Sequence, residues 1–97
     1  MAGDLFHEQE AIVAFDVHPV TDMGNLRAFA SVRLGPLTIH GCRVIREEGK
    51  RPWASLLQVR DGDRWHPLIQ VADRQLHDRI RQAILTAWWE RTGGPAA

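Results

Sequence analysis

One cysteine, Cys42, and one lysine, Lys50, stand in a chain of 97 residues. A lone cysteine excludes an intrachain disulfide, and with it the small secreted scaffolds that depend on several. It also leaves no cysteine pair to complete a zinc site. No apolar run approaches the roughly 20 residues that a membrane-spanning helix needs. The opening residues 1–8 lack the basic start and apolar stretch of a signal peptide, so a cytoplasmic location is expected. Internal repeats, low-complexity tracts and linker-like stretches are absent too.

Catalytic patterns are equally scarce. The five histidines, His7, His18, His40, His66 and His77, form no H-x-H, H-x3-H or H-E-x2-H arrangement, so no metal site and no cofactor is expected. A nucleophile would have to be Cys42, Ser31 or Ser55 beside a base, and no G-x-S-x-G elbow is present. Cys42 falls in a strand pattern, where a cysteine is ordinarily a small buried apolar residue with an unactivated thiol. The glycines are scattered, and none opens a helix after a strand as a phosphate loop would. Asp61 and Asp63 flank a turn glycine and read as turn formers. A non-enzymatic protein is expected.

What is present is an ordinary globular balance, 44% apolar and 25% charged residues, enough for one small domain. Domains of this size bury a small fraction of their surface, so association with a second copy would add stability. The formal charge is zero but unevenly spread. Residues 1–25 hold five acids and no Lys or Arg, while the remainder sets 12 basic residues against seven acids, a net +5. Eleven of the 12 are arginine, the residue suited to phosphate recognition. Solvated surface charge is the plain alternative.

Along the chain, residues 1–10 are polar and read as a mobile end, 11–92 as one domain and 93–97 as a tail. From Ala11 to Val20, Val13, Phe15 and Val17 alternate with Ala14, Asp16 and His18, which predicts a strand. A second strand spans Leu26 to Leu34, with Leu26, Ala28, Ala30, Val32 and Leu34 on one face and Arg27, Phe29, Ser31 and Arg33 on the other. A third, Leu37 to Arg46, changes phase at Gly41, where a bulge is the simplest cause. A fourth runs from Trp53 to Arg60. Asp61-Gly62-Asp63 then predicts a hairpin into a short fifth strand around Arg64 to Gln70, which Pro67 either places at an edge or breaks.

Asp73 to Arg91 predicts a helix. Asp73 is a good N-cap, and Leu76, Ile80, Ala83, Ile84, Ala87 and Trp88 share a face, with Gly93-Gly94 and Pro95 to stop it. Arg74 and Asp78 are spaced for an i, i+4 ion pair. Arg74, His77 and Arg81 form a basic edge, and Leu85 and Trp89 lie beyond it, off the main apolar stripe. A single sheet covers one side of a helix, so Leu85 and Trp89 are expected to meet a partner subunit. The fold class expected is α+β: a largely antiparallel sheet of about five strands with one C-terminal amphipathic helix, forming a homodimer.

Arg51, Arg60 and Arg64 lie in or beside the predicted hairpin, and Arg74, Arg79 and Arg81 on the helix. Trp53 and Trp65 fall among them and could stack on bases, although tryptophans in strands are more often core residues.

The segment Leu26-Arg27-Ala28-Phe29-Ala30-Ser31-Val32, followed by Ile39-His40-Gly41-Cys42-Arg43-Val44-Ile45, resembles the stage V sporulation protein G family of bacterial septation regulators. Those proteins carry an R-A-x-A-S-I/V strand and then a V-H-D-x-R-V-I strand. Trp53-Ala54, His66-Pro67-Leu68-Ile69 and Ile80-Arg81-Gln82-Ala83-Ile84-Leu85 are similar to later family segments, so the resemblance spans Leu26 to Trp88. It implies a small cytosolic homodimer with a strand-rich sheet and a C-terminal helix that binds DNA, in some cases RNA, as a regulator. Arg51, Arg60, Arg74, Arg79 and Arg81 would then hold phosphates, with Trp65 as a stacking residue. The chain departs from the pattern at Leu57-Gln58-Val59-Arg60, where the family has M-P-S and basic residues, at Gly41, where it has an acid, and at His77, where it has an arginine. No recognised nucleic-acid sequence and no sporulation role carry over. The alternative reading is a protein-interaction module with little nucleic-acid binding, favoured by the neutral net charge.

Overall fold

A computed structural model describes residues 12–93. The element order is β1 (Ile12–Pro19), β2 (Leu26–Leu34), β3 (Leu37–Ile45), β4 (Trp53–Ser55), β5 (Gln58–Asp61), β6 (Arg64–Pro67) and α1 (Arg74–Thr92). β1 to β4 form an antiparallel sheet in sequence order, and β5 and β6 form a separate hairpin. The α+β class and the C-terminal helix follow expectation. The single sheet of about five strands does not; of the assigned end segments, 1–10 and 94–97 lie outside the described residues, and Gly93, the first residue of the assigned tail, caps the helix.

The helix is built as its sequence dictates. Asp73, in extended backbone, accepts hydrogen bonds at Oδ1 from the amides of Gln75 (2.9 Å) and Leu76 (3.2 Å). At the other end Gly93 takes φ 98°, open to glycine, and its N–H donates to the Trp89 carbonyl. Ile80, Ile84 and Trp88 are buried on the inner face of the sheet, with Leu76 partly buried beside them. They meet Ala28, Ala30, Val32 and Leu34 of β2 and Ile39, Cys42 and Val44 of β3. The helix backbone runs nearest β1, and its large residues reach over the small Ala28 and Ala30 of β2.

Two bulges set which residues face inward. At Gly41, with φ 80°, the β2–β3 register slips between Ala30/Cys42 and Val32/Ile39, so Ile39, Cys42 and Val44 all reach the core. A Cβ on Gly41 would also stand 2.8 Å from Leu57 Cδ1. The second bulge interrupts the strict alternation expected of β1. The register with β2 slips between Phe15 and His18, where Asp16 adopts φ 51°, a conformation Asp tolerates better than most residues. Ile12 and Ala14 face the core before the bulge and Val17 faces it afterwards, while Val13 is exposed and Phe15 faces outward.

The expected fourth strand, Trp53 to Arg60, is broken in two. Ala54, Ser55 and Leu56 are consecutively buried, which the two-residue period of one strand cannot provide. The chain leaves the sheet there, Leu57 lies over Gly41, and its carbonyl accepts from the Leu68 N–H. The predicted turn at Gly62 then closes β5 on β6, with Asp61 opposite Arg64. No described helix is long and apolar enough to cross a membrane.

Candidate nucleic-acid interface

The residues singled out from the sequence fall into three places. Along one flank of α1 runs the row His77, Arg81, Leu85 and Trp89, facing β4 and the loop after β3. Arg81 Nε donates to the Ala54 carbonyl (3.1 Å), and Arg81 Nη1 lies 3.9 Å from Asp78. Arg81 therefore ties the helix to β4, and Asp78 pairs with it and not with Arg74. Beside it a cleft of about 600 Å3 is lined by Trp53, Ser55, Gln58, Gln70, His77 and Arg81. Leu85 and Trp89, expected to stand apart from the core, are partly buried against it. Trp89 lies on Trp88, ring centroids 4.7 Å apart, and both border a hollow with Arg27, Arg46 and Gly49. Glu48 and Gly49 of the loop after β3 border this flank with Trp89, and Arg81 bonds to β4, leaving Leu85 and Trp89 only partly covered within one chain.

On the opposite flank Arg79 is half-buried near Ile12 and Ala14. Its Nη2 is shielded from solvent with no hydrogen-bond partner among the described residues. Arg51 and Arg74 are exposed, Arg51 in the loop before β4 and Arg74 in the first helical turn, where the helix dipole favours anions. They are not brought together with the other arginines by any described contact.

The third place is the outer face of the sheet, and here residues converge. Arg60 and Trp65 are directly opposed on the hairpin, with the guanidinium 5.9 Å from the indole centroid. Arg60 Nε donates to the Gly62 carbonyl (2.9 Å), which steadies the side chain and leaves its outer nitrogens available. Arg43 of β3 stands 5.6 Å from Trp65 and 5.8 Å from Phe29, its cross-strand neighbour on β2. Farther along, Arg33 lies 6.0 Å from the Phe15 ring. The series Phe29, Arg43, Trp65, Arg60 thus alternates ring and guanidinium. Distances near 6 Å are the outer limit of cation–π attraction, worth about 0.5 kcal/mol each at an exposed site. Trp65 is 51% exposed and Trp53 40%, so neither is a core residue.

Only Arg60 and Trp65 of this cluster were singled out from the sequence. Arg43, Phe29, Arg33 and Phe15 were missed, although Arg27, Phe29, Ser31 and Arg33 had already been separated as the outward face of β2. The missing signal is register, which places Arg43 opposite Phe29 and Phe15 opposite Ser31.

Two features bear on chemistry. Ser31 Oγ and His40 Nδ1 are hydrogen-bonded at 2.8 Å, a nucleophile–base spacing. Ser31 is buried, however, and among the described residues neither borders a described cavity or pairs with a carboxylate that would orient the imidazole, so the bond reads as a clasp across the Gly41 bulge. Burial pushes the Cys42 thiol up to about 11, which leaves it protonated at neutral pH, as expected of an unactivated core cysteine. Among the described residues no three His, Cys, Asp or Glu side chains converge as a metal site.

No family model matches the chain, and no match was found among curated proteins or solved structures.

Proposed function

We propose that this chain is a small non-enzymatic regulatory protein that acts as a homodimer and binds DNA or RNA mainly through phosphate contacts. The observation that carries the reading is the meeting of Arg43 and Arg60 at the exposed ring of Trp65, where cationic donors and a stacking surface share one patch. Arg51 and Arg74 add exposed positive charge elsewhere on the surface.

Membership of the stage V sporulation protein G family belongs to the same proposal. Its support is that the quoted segments fall on β2 and β3, which pair side by side. The departure at Gly41 is also conservative in backbone terms, because φ 80° suits glycine and, among other residues, Asp or Asn best. The dimer part rests on Leu85 and Trp89, which are only partly buried in one chain. Light scattering after gel filtration should give about twice 11.0 kDa, and a monomer at micromolar concentration would refute it.

A labelled panel of DNA and RNA oligonucleotides tests the binding. Affinity should fall steeply as salt rises, because phosphate contacts release counterions. Absence of binding at low salt would sink the reading. The second reading, a protein-interaction module in a cytoplasmic regulator, is favoured by the internal commitment of Arg81 to the Ala54 carbonyl, which withdraws one expected phosphate ligand.

A further inference from the structure

We infer that the outer face of the four-stranded sheet is a platform for single-stranded nucleic acid, on which Phe15, Phe29 and Trp65 stack bases while Arg33, Arg43 and Arg60 hold the backbone. The inference rests on the nucleic-acid reading above and narrows it to unpaired strands.

Charge comes first. The cross-strand rows of this face are Val13–Arg33–Thr38, Phe15–Ser31 and His18–Phe29–Arg43–Ser55, with His40 bonded to Ser31. They contain arginine and histidine but no carboxylate. The hairpin sorts its residues the same way. Arg60 and Trp65 share the side next to Arg43, whereas Asp61 and His66, 3.7 Å apart, differ in strand phase from them. The single acid within the four strands, Asp16, is unpaired in the β1 bulge and borders a hollow with Val17 and the helix residues Glu90 and Arg91, so the paired rows that carry the rings hold none.

Geometry comes second. Phe15 and Phe29 sit on adjacent strands as diagonal neighbours, within reach of one extended ligand, and Phe29, Arg43 and Trp65 continue the row across β3 to the hairpin. A guanidinium plane stacks on a base as an aromatic ring does, so the series offers successive flat surfaces. Arg43 Nε is shielded and has no hydrogen-bond partner among the described residues, a donor that packing within the chain does not satisfy.

Duplex and self-association fit less well. Base faces in a duplex are stacked inside it, where a shallow sheet cannot reach them, and the exposed row of α1, Asp78, Gln82, Thr86 and Glu90, carries two acids and no basic side chain to meet a major groove. Two copies joined through this face would bring six of these arginines together without a carboxylate in the paired rows.

The test uses the full chain with three fluorescein-labelled probes: a 20-nucleotide single strand of DNA, the same strand as RNA, and the matching DNA duplex. Heparin serves as a polyanion without bases. At least one single strand should bind more tightly than the duplex and quench the indole fluorescence. Trp65→Leu, at an exposed position, should weaken that binding by about tenfold and remove most of the quenching while leaving the thermal midpoint unchanged. Phe29→Leu should weaken it similarly, with circular dichroism as its folding control. Duplex and single strand binding equally, with Trp65→Leu matching the parent, would overturn the platform yet leave the general reading standing. Displacement by heparin with no effect of Trp65→Leu would reduce the face to a plain polyanion surface and also overturn it. A self-association lost in Trp65→Leu would assign the face to a second copy. No binding of any probe at low salt would remove both proposals together.

Discussion

The two faces of the same four strands solve different problems. The inner face holds Ala28, Ala30, Val32, Cys42 and Val44, all at or near complete burial under Ile80 and Ile84. The outer face, drawn from alternate residues of the same strands, holds Phe15, Phe29, Arg33 and Arg43, none of them fully buried. On the inner face each side chain is dictated by volume. On the outer face rings and guanidiniums meet at 5.6–6.0 Å, too loosely to account for much stability. The pleat thereby puts the stabilising contacts on one side and the proposed binding surface on the other.

That separation can be broken at the inner face first. Ile84→Ala removes a fully buried side chain at the centre of the core and should cost about 2–5 kcal/mol, read as a lower urea midpoint with an unchanged slope. Next in size is the pH response of Cys42. Its thiol is raised from an ordinary 9.0 to about 11, so the folded state holds a proton that the unfolded chain loses. The associated stability is complete below pH 9 and disappears as pH rises through 11, a loss of about 2–3 kcal/mol. With no tyrosine and one lysine in the chain, few other groups titrate in that window. Cys42→Ala should flatten most of the slope between pH 9 and 11.

Gly41→Ala comes third, at about 1–2 kcal/mol, because alanine is strained at φ 80° and its Cβ presses on Leu57. Asp73→Ala, which strips the helix of its cap, should cost about 1 kcal/mol. The smallest stability effect belongs to the outer face. Arg33→Gln should move the urea midpoint by less than about 0.5 kcal/mol, as surface substitutions do, while weakening single-strand binding. A loss of stability there comparable to that of Ile84→Ala would erase the distinction between the faces.

Much of the inner architecture was legible in the sequence because local rules govern it. Asp73 and Gly93 bracket the helix where capping chemistry puts them, the alternation of β2 sorted its inward residues, and Gly41 marked its own bulge. Asp16 gave no such mark, since Asp is common in polar alternation, so the change of phase between Ala14 and Val17 was not legible in β1. The break after Ser55 was hidden by apolar residues that fit either a strand or a buried crossing. Arg81 was placed on a basic edge by helical spacing, yet its partner is a backbone carbonyl 27 residues away. The outer series was least legible. It needs the registers of three strands and the lean of a hairpin, none of which one segment encodes.

The proposed platform requires that Arg43 and Arg60 hold the backbone of a bound single strand. The direct measurement is the slope of log affinity against log salt for a labelled single-stranded oligonucleotide. Each phosphate contact contributes roughly 0.7 to that slope, so Arg43→Gln with Arg60→Gln should reduce it by about 1.4, while Arg51→Gln with Arg74→Gln should change it less. An unaltered slope in the first pair, with a clear reduction in the second, would place the contacts on the helix end and loop, and contradict the outer face as the binding surface.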